Sequence, residues 1–307
     1  MNYFWFLALS SFCTVLTAAI SKMTQENMGP RGVSMEVNMF LIVECGVLGS
    51  VFLYFVNGAV PMKLMPFTIL MASINTILGN AAVPFTYMAL TVGDISTTKL
   101  ITSVGCMVLP YLFGIVFLKE ATTVIAVCGV ILIICAIAIP ILFENQRMQQ
   151  NAEKKNLFRF CLYCCISCVL TSASNIVNKL YWVLDGFGKN SAVEYSFVSY
   201  LMGAILAGII FLYCIVIRKR KLVLAGKRGA WFVPAINAAA AILNAISYFL
   251  QMECTRALPA SVFTPLSTGL TLILTALMAW IGFKEKLSKV RILSILASIL
   301  AVWFISQ

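Results

Sequence analysis

Lys22–Tyr54, KMTQENMGPRGVSMEVNMFLIVECGVLGSVFLY, and Lys179–Tyr213, KLYWVLDGFGKNSAVEYSFVSYLMGAILAGIIFLY, present the same features in the same order. In the first, Ser21-Lys22 closes an apolar run, Gly29-Pro30 marks a connection, and Ser34-Met35-Glu36 opens a second run that reaches Phe52-Leu53-Tyr54. In the second, Asn178-Lys179 closes a run and Gly186 and Gly188 lie in the connection. Ser191-Ala192-Val193-Glu194 then opens the next run, which reaches Phe211-Leu212-Tyr213. The lysine-to-glutamate distance is 14 residues in one stretch and 15 in the other, and glutamate to Phe-Leu-Tyr is 16 and 17. Matching residue types at matching spacings predict two copies of one unit of about 150 residues.

The surroundings of these stretches define the solvent. Of the 307 residues, 61% are hydrophobic and 11% charged, and the mean hydropathy is +0.97. That leaves too little polar surface to cover a water-soluble globule of this length, so the chain reads as a membrane protein whose first partner is the lipid bilayer. The first apolar run lacks the short h-region and small-residue cleavage site of a signal peptide, so residue 1 onward is expected to be mature protein. A net charge of +11 would suit nucleic acid, but the Lys and Arg lie in short connections between apolar runs, where orientation signals lie. No nucleic-acid role is expected. Eleven Cys, mostly within apolar runs, argue for small packing residues rather than a disulfide framework.

A hydrocarbon core of about 30 Å needs about 20 apolar residues per helix. Ten runs qualify: Tyr3 to Ser21, Met35 to Val56, Pro66 to Leu90, Thr97 to Leu118, Thr123 to Phe143, Leu157 to Leu180, Ala192 to Ile217, Trp231 to Met252, Ser261 to Phe283 and Val290 to Ser306. Glu144 to Asn156 is the longest polar stretch within the body and reads as a linker between a first repeat, 1–143, and a second, 157–307. With five helices in each half the second half enters the membrane from the opposite side. The predicted fold is therefore an all-α membrane protein of ten transmembrane helices arranged as two inverted five-helix repeats. Leu118-Lys119-Glu120 between runs four and five and Phe283-Lys284-Glu285 between runs nine and ten repeat the pattern, their Lys-Glu pairs 165 residues apart.

Ala89-Leu90 to Glu120, the final helix of the half with Gly129, and Ala257-Leu258-Pro259-Ala260-Ser261 through Pro265 to Phe283-Lys284-Glu285-Lys286-Leu287-Ser288 together resemble the EamA-like branch of the drug/metabolite transporter superfamily. The resemblance covers nearly the whole chain, through short motifs made specific by their order and duplication. It implies a ten-helix inverted repeat, a central cavity between the halves and secondary transport, with amino acids, other metabolites, drugs and nucleotide sugars among the family's substrates. One departure bears on the cargo. Where many EamA-like sequences carry Arg early in the second helix, this chain has Glu36 and, near mid-membrane, Glu44. Acids at that place favour a cationic or zwitterionic substrate over an anionic one.

Glu44 lies between Leu41-Ile42-Val43 and Val47-Leu48, where a carboxylate costs about 2.5–3.5 kcal/mol on insertion scales. Such a group faces the bundle interior, and desolvation favours its neutral acid, the property a proton carrier requires. The alternative is a protonated or Lys-paired Glu that only packs helices. Asn75, Asn80 and Tyr87 on the third run and Asn237, Asn244 and Tyr248 on the eighth are candidates for substrate binding. Amides in hydrocarbon need partners, and the alternative is bonding between helices. Asn237 and Asn244, seven residues apart, share a helix face that Tyr248 extends. Glu36 and Glu194, at helix starts, are accounted for by the helix dipole and carry a further candidacy as gates with Lys22 and Lys179. For the two lysines, snorkelling to the interface is the simpler expectation.

Cys161, Cys164, Cys165 and Cys168 form a C-x-x-C-C-x-x-C string. On a helix these positions make one stripe, and four collinear thiols do not surround an ion tetrahedrally. The chain has no His, and so no H-E-x-x-H; it also lacks G-x-S-x-G. No metal, no cofactor and no enzymatic activity are expected. The function expected is secondary active transport of a small polar or amphipathic metabolite by alternating access, with Glu44 a candidate for proton coupling. A flippase for a lipid-linked headgroup and a non-transporting membrane sensor are the alternatives. Odd-numbered connections hold 17 of the 22 Lys and Arg, including Lys154, Lys155 and Arg218 to Lys221. The positive-inside rule then places that side in the cytoplasm and both termini outside it, in a cell-membrane location.

Overall fold

A computed structural model describes residues 3–28, 35–92, 95–145, 154–219, 231–281 and 289–305. Among them the chain forms ten helices and no strand: α1 (Tyr3–Met28), α2 (Met35–Val56), α3 (Pro66–Val92), α4 (Ile95–Val116), α5 (Val124–Asn145), α6 (Lys154–Val183), α7 (Ala192–Leu212), α8 (Phe232–Ala257), α9 (Ala260–Ile281) and α10 (Lys289–Ile305). An all-helical chain is what hydrocarbon demands, because a helix satisfies its backbone groups within one segment. Each apolar run of the sequence corresponds to one helix. The largest displacements are in α1, which continues past Ser21 to Met28, and in α8, which continues past Met252 to Ala257.

Among the described residues, six helical stretches are long and apolar enough to cross a membrane: Tyr3–Ser21, Glu36–Val56, Pro66–Thr86, Phe158–Val183, Ala192–Ile217 and Phe232–Ala257. In α4, α5, α9 and α10 the apolar stretches among the described residues are shorter, Cys106–Val116, Val124–Ala136, Ala260–Thr275 and Leu296–Ile305. One expected helix changes character. The run to Ile217 ends its α-helical part at Leu212 and finishes as a π-helical turn, Tyr213–Ile217, with Arg218 stacked 5.7 Å over the Tyr213 ring.

The helices gather into two compact units that do not follow chain order. Unit 1 comprises residues Met1–Ile77 and Tyr181–Glu253, and unit 2 comprises Leu78–Leu180 and Cys254–Gln307. Each takes helices from both sides of the Glu144–Asn156 connection, of which residues 146–153 lie outside the described residues.

In unit 1 the main pairing is α2 against α7. Gly46 sets it, because a Cβ there would stand 2.7 Å from Ala204 Cβ and 2.8 Å from the Tyr200 carbonyl. Without a hydrophobic drive between helices in lipid, such close backbone approach is what gains packing energy. Val37 and Leu41 of α2 then bury with Val233 of α8. At one end Tyr181 stacks on Phe67 at 5.7 Å and packs against Tyr195 at 4.4 Å between ring centroids. Its hydroxyl lies 2.9 Å from Thr68 Oγ1 and accepts from the Asn190 amide at 2.7 Å.

In unit 2, α5 packs on α10 and α4 on α9, while α10 also lies along α9. Gly129 permits the α5–α10 approach, since a Cβ there would meet Ile305 Cγ1 at 2.7 Å. Ala89 at the end of α3 buries with Phe160 and Cys164 of α6, and Thr86 Oγ1 lies 2.6 Å from Ser167 Oγ. The cysteine stripe divides over two faces: Cys164 and Cys168 are buried, Cys161 and Cys165 exposed.

Candidate functional site

Unit 1 collects most of the polar side chains that the sequence singles out, and α8 is the element that presents them. Its face carries Asn237, Asn244, Ser247, Tyr248 and Gln251, and each meets a polar group of another helix of the unit. Asn237 Nδ2 donates to Glu44 Oε2 at 2.9 Å and to the Leu41 carbonyl at 3.1 Å. Two turns further along α8, Asn244 Nδ2 approaches Sγ of Cys45, the residue next to Glu44, at 3.9 Å. Asn75 Nδ2 of α3 donates to the Tyr248 hydroxyl at 2.8 Å, and that hydroxyl donates to Ser199 Oγ of α7 at 3.5 Å. Ser247 Oγ donates to the Ser10 carbonyl at 2.9 Å and lies 2.7 Å from Thr14 Oγ1, with Gln251 Nε2 donating to Ser247 Oγ at 3.0 Å.

The local sequence explains why the row exists. On α8, positions 237, 244, 248 and 251 recur at helical spacing of three, four and seven, so one face is polar while the intervening Ala240, Ala241 and Ala245 are small enough to bury. Alanine lets neighbouring backbones come close, which brings short amide and hydroxyl side chains within bonding distance. Asn75 is 6% exposed, and an amide so buried is held by the bonds it makes.

Glu44 is half-buried in the middle of α2. Its carboxylate accepts from a neutral amide, and an acceptor of that kind also takes up a proton or faces a substrate ammonium. Tyr248 sets its ring edge-on to Tyr200, with centroids 5.9 Å apart, so the face ends in two aromatic rings. A carboxylate, amides and two aromatic rings thus lie within one unit.

The remaining sequence candidates are placed elsewhere. Asn80 is half-buried in the part of α3 that belongs to unit 2. Glu36 is buried, 5% exposed, in the first turn of α2. Glu194 closes a capping box at the start of α7: its Oε2 accepts from the Ser191 amide at 2.9 Å while Ser191 Oγ accepts from the Glu194 amide at 3.3 Å. It also accepts from Asn190 Nδ2 at 3.1 Å. The side chains of Lys22 and Tyr87, and the pair Lys284-Glu285, lie outside the described residues.

Lys179 corrects an expectation. It does not snorkel: the side chain is 8% exposed and its ammonium donates inward, to the carbonyls of Thr255 at 3.1 Å and Leu258 at 2.6 Å. Carbonyls at the end of a helix lack intrahelical donors and hold the negative end of the dipole, so they make an internal cation seat that competes with the interface. Two polar groups went unmarked in the sequence. Glu120 stands there only as the boundary between two runs, yet it caps the start of α9, and Ser199, an ordinary small residue of an apolar helix, completes the Asn75–Tyr248 chain.

The fold and site define a class: a multi-pass helical membrane protein with a polar face inside one unit. The class acquires a family through comparison, because residues 159–307 match the EamA-like transporter family. That family is one of the drug/metabolite transporter superfamily, and the match covers just under half of the chain. A solved structure described only as a crystal structure of a protein is similar over 98% of this chain and 98% of its own, with TM-score 0.71 at 13% identity, a likeness of fold alone. No curated protein matches the chain.

Proposed function

We propose that the protein is a secondary active transporter that moves a small polar or amphipathic metabolite, cationic or zwitterionic, across the cell membrane by alternating access, with Glu44 carrying the coupling proton. The observation that carries this reading is the Glu44–Asn237 bond: an acid kept within a membrane-spanning helix, whose Oε2 is met by an amide and, among the described residues, by no permanent cation, can exchange its proton for a charged substrate group. Asn75, Asn237, Asn244 and Tyr248 are the substrate-binding side chains of unit 1, and Asn80 and Tyr87 are assigned to the same task. Glu36, Glu194 and Lys22 are assigned to gating, and the gating candidacy of Lys179 is set aside because its ammonium is seated on the Thr255 and Leu258 carbonyls.

Two inverted five-helix repeats, 1–143 and 157–307, underlie the alternation. The pairing of α2 with α7, α4 with α9 and α5 with α10 supports this, since each pair joins elements five places apart in the chain, as helices near a two-fold axis between repeats would be. Both termini are placed outside the cytoplasm by the lysine and arginine bias.

The test starts with a thermal-shift screen of purified protein against amino acids, amines and nucleotide sugars, because a ligand that binds only the folded state raises its stability. The compound found is then offered to proteoliposomes under an imposed pH gradient. Accumulation that tracks the gradient is the result expected. Stabilisation by nucleotide sugars alone, or uptake indifferent to the gradient, defeats the reading.

A further inference from the structure

The turn between α8 and α9 receives a charged side chain at each helix end, outside the polar face of unit 1. Only Leu258 and Pro259 separate the two helices. A helix end leaves carbonyls without donors and a helix start leaves amides without acceptors. Part of that need is met locally: the Leu258 amide returns to the Cys254 carbonyl at 2.8 Å, and the Val262 and Phe263 amides to the Pro259 carbonyl at 3.1 and 2.9 Å. The rest is met from a distance. Lys179 of α6 gives its ammonium to the carbonyls of Thr255 and Leu258. Glu120, from the α4–α5 connection, accepts from the Ala260 amide on Oε1 and from the Ser261 amide on Oε2, both at 2.8 Å.

The signs are those the helix dipoles call for, a cation at the end of α8 and an anion at the start of α9. Gly114 admits the Glu120 carboxylate: a Cβ at Gly114 would stand 3.2 Å from Glu120 Cδ and from the Ser261 amide nitrogen. All of these residues belong to unit 2, and they lie where the chain leaves it. α6 passes out of unit 2 after Leu180, and α8 passes into it at Cys254.

We infer that Lys179 and Glu120 form one clamp that makes the α8–α9 turn, together with the unit 2 ends of α6 and α8, a single mechanical body. Both are positioning residues. Rearrangement of α6 and α8 during transport then begins beyond the clamp and leaves the turn intact. The consequence for transport rests on the proposed function, whereas the clamp itself is read without any substrate.

Hydrogen exchange of the full-length protein in detergent, followed in a fragment spanning residues 254–263, tests it. Lys179→Met and Glu120→Gln should each speed exchange there by about tenfold, as the loss of a charge-assisted bond implies, with fragments from α2 and α7 unchanged. The double variant should match the faster single variant, because one device is broken only once. A double variant at the product of the two effects, parental exchange in either single variant, or faster exchange in α2 and α7 as well, overturns the clamp. Should Lys179→Met fail to fold, Glu120→Gln keeps the test open: acetylation of Lys179 by an amine-reactive ester should quicken at least threefold, and an unchanged rate overturns the proposal.

Discussion

Glu44 Oε2 accepts from Asn237 Nδ2 at 2.9 Å, across 193 residues of chain. Neither partner is exposed and neither carries a counter-charge to the other. The bond therefore fixes the carboxylate in place without settling its protonation, which is the condition for a group that is to be protonated in one state and ionised in another.

Glu44→Gln keeps size and hydrogen-bonding ability while removing titration. It should abolish accumulation driven by a pH gradient and leave exchange of labelled for unlabelled substrate at least partly intact, because only the coupled return step needs the proton to leave. Glu44→Asp should retain coupling with an altered pH dependence. Full proton-driven transport by the Gln variant in proteoliposomes, from about pH 5 to 8, would remove Glu44 from the mechanism.

Tyr248→Phe deletes the hydroxyl that Asn75 donates to and that itself reaches Ser199. An amide 6% exposed then loses one of its bonds, at a cost of about 1 kcal/mol. Unfolding in detergent measures that loss. If the face of α8 binds substrate, stabilisation by the screened ligand should fall in the same variant, whereas a purely structural bond predicts an undiminished ligand-induced shift.

Gly46→Val places a branched side chain against Ala204 and Tyr200 at a point where even one carbon has no room. Overpacking of this kind costs about 1–3 kcal/mol. Gly46→Ala should lose less than Gly46→Val, and equal stability of the three proteins would show that α2 and α7 do not meet as described.

The proposed orientation rests on 17 of 22 basic residues falling in odd-numbered connections. A C-terminal fusion to a reporter active only in the cytoplasm should stay dark, and one active only outside it should light. The reverse pattern would place the termini, and the direction of every gate, on the other side.

The cysteines give a further outcome. Replacing Cys161, Cys164, Cys165 and Cys168 together by Ala or Ser should leave transport intact and copurify no metal. A stoichiometric metal in the parent protein that disappears in the quadruple variant would refute the packing account.

Hydrophobic runs of the length of a bilayer, bounded by Gly, Pro and charge, were enough to mark all ten helices, because in hydrocarbon backbone satisfaction leaves little choice of secondary structure. Glu44 was conspicuous for the same reason: a charge inside an apolar run has a cost that composition alone exposes. The capping role of Glu194 was equally legible, since a capping box is closed within four residues and involves no distant element. Tertiary structure alone decided the partners. Asn237 was visible as an amide on a polar face, but its choice of Glu44 depends on α8 and α2 coming together, which no local pattern encodes. Lys179 shows the limit most clearly. Its sequence position at the end of an apolar run fits a residue reaching for water, and only the arrival of the Thr255 and Leu258 carbonyls supplies bonds that offset part of the cost of burying it. Local physics set where each helix begins and ends, while the long-range hydrogen bonds that give buried polar groups their purpose arise from packing.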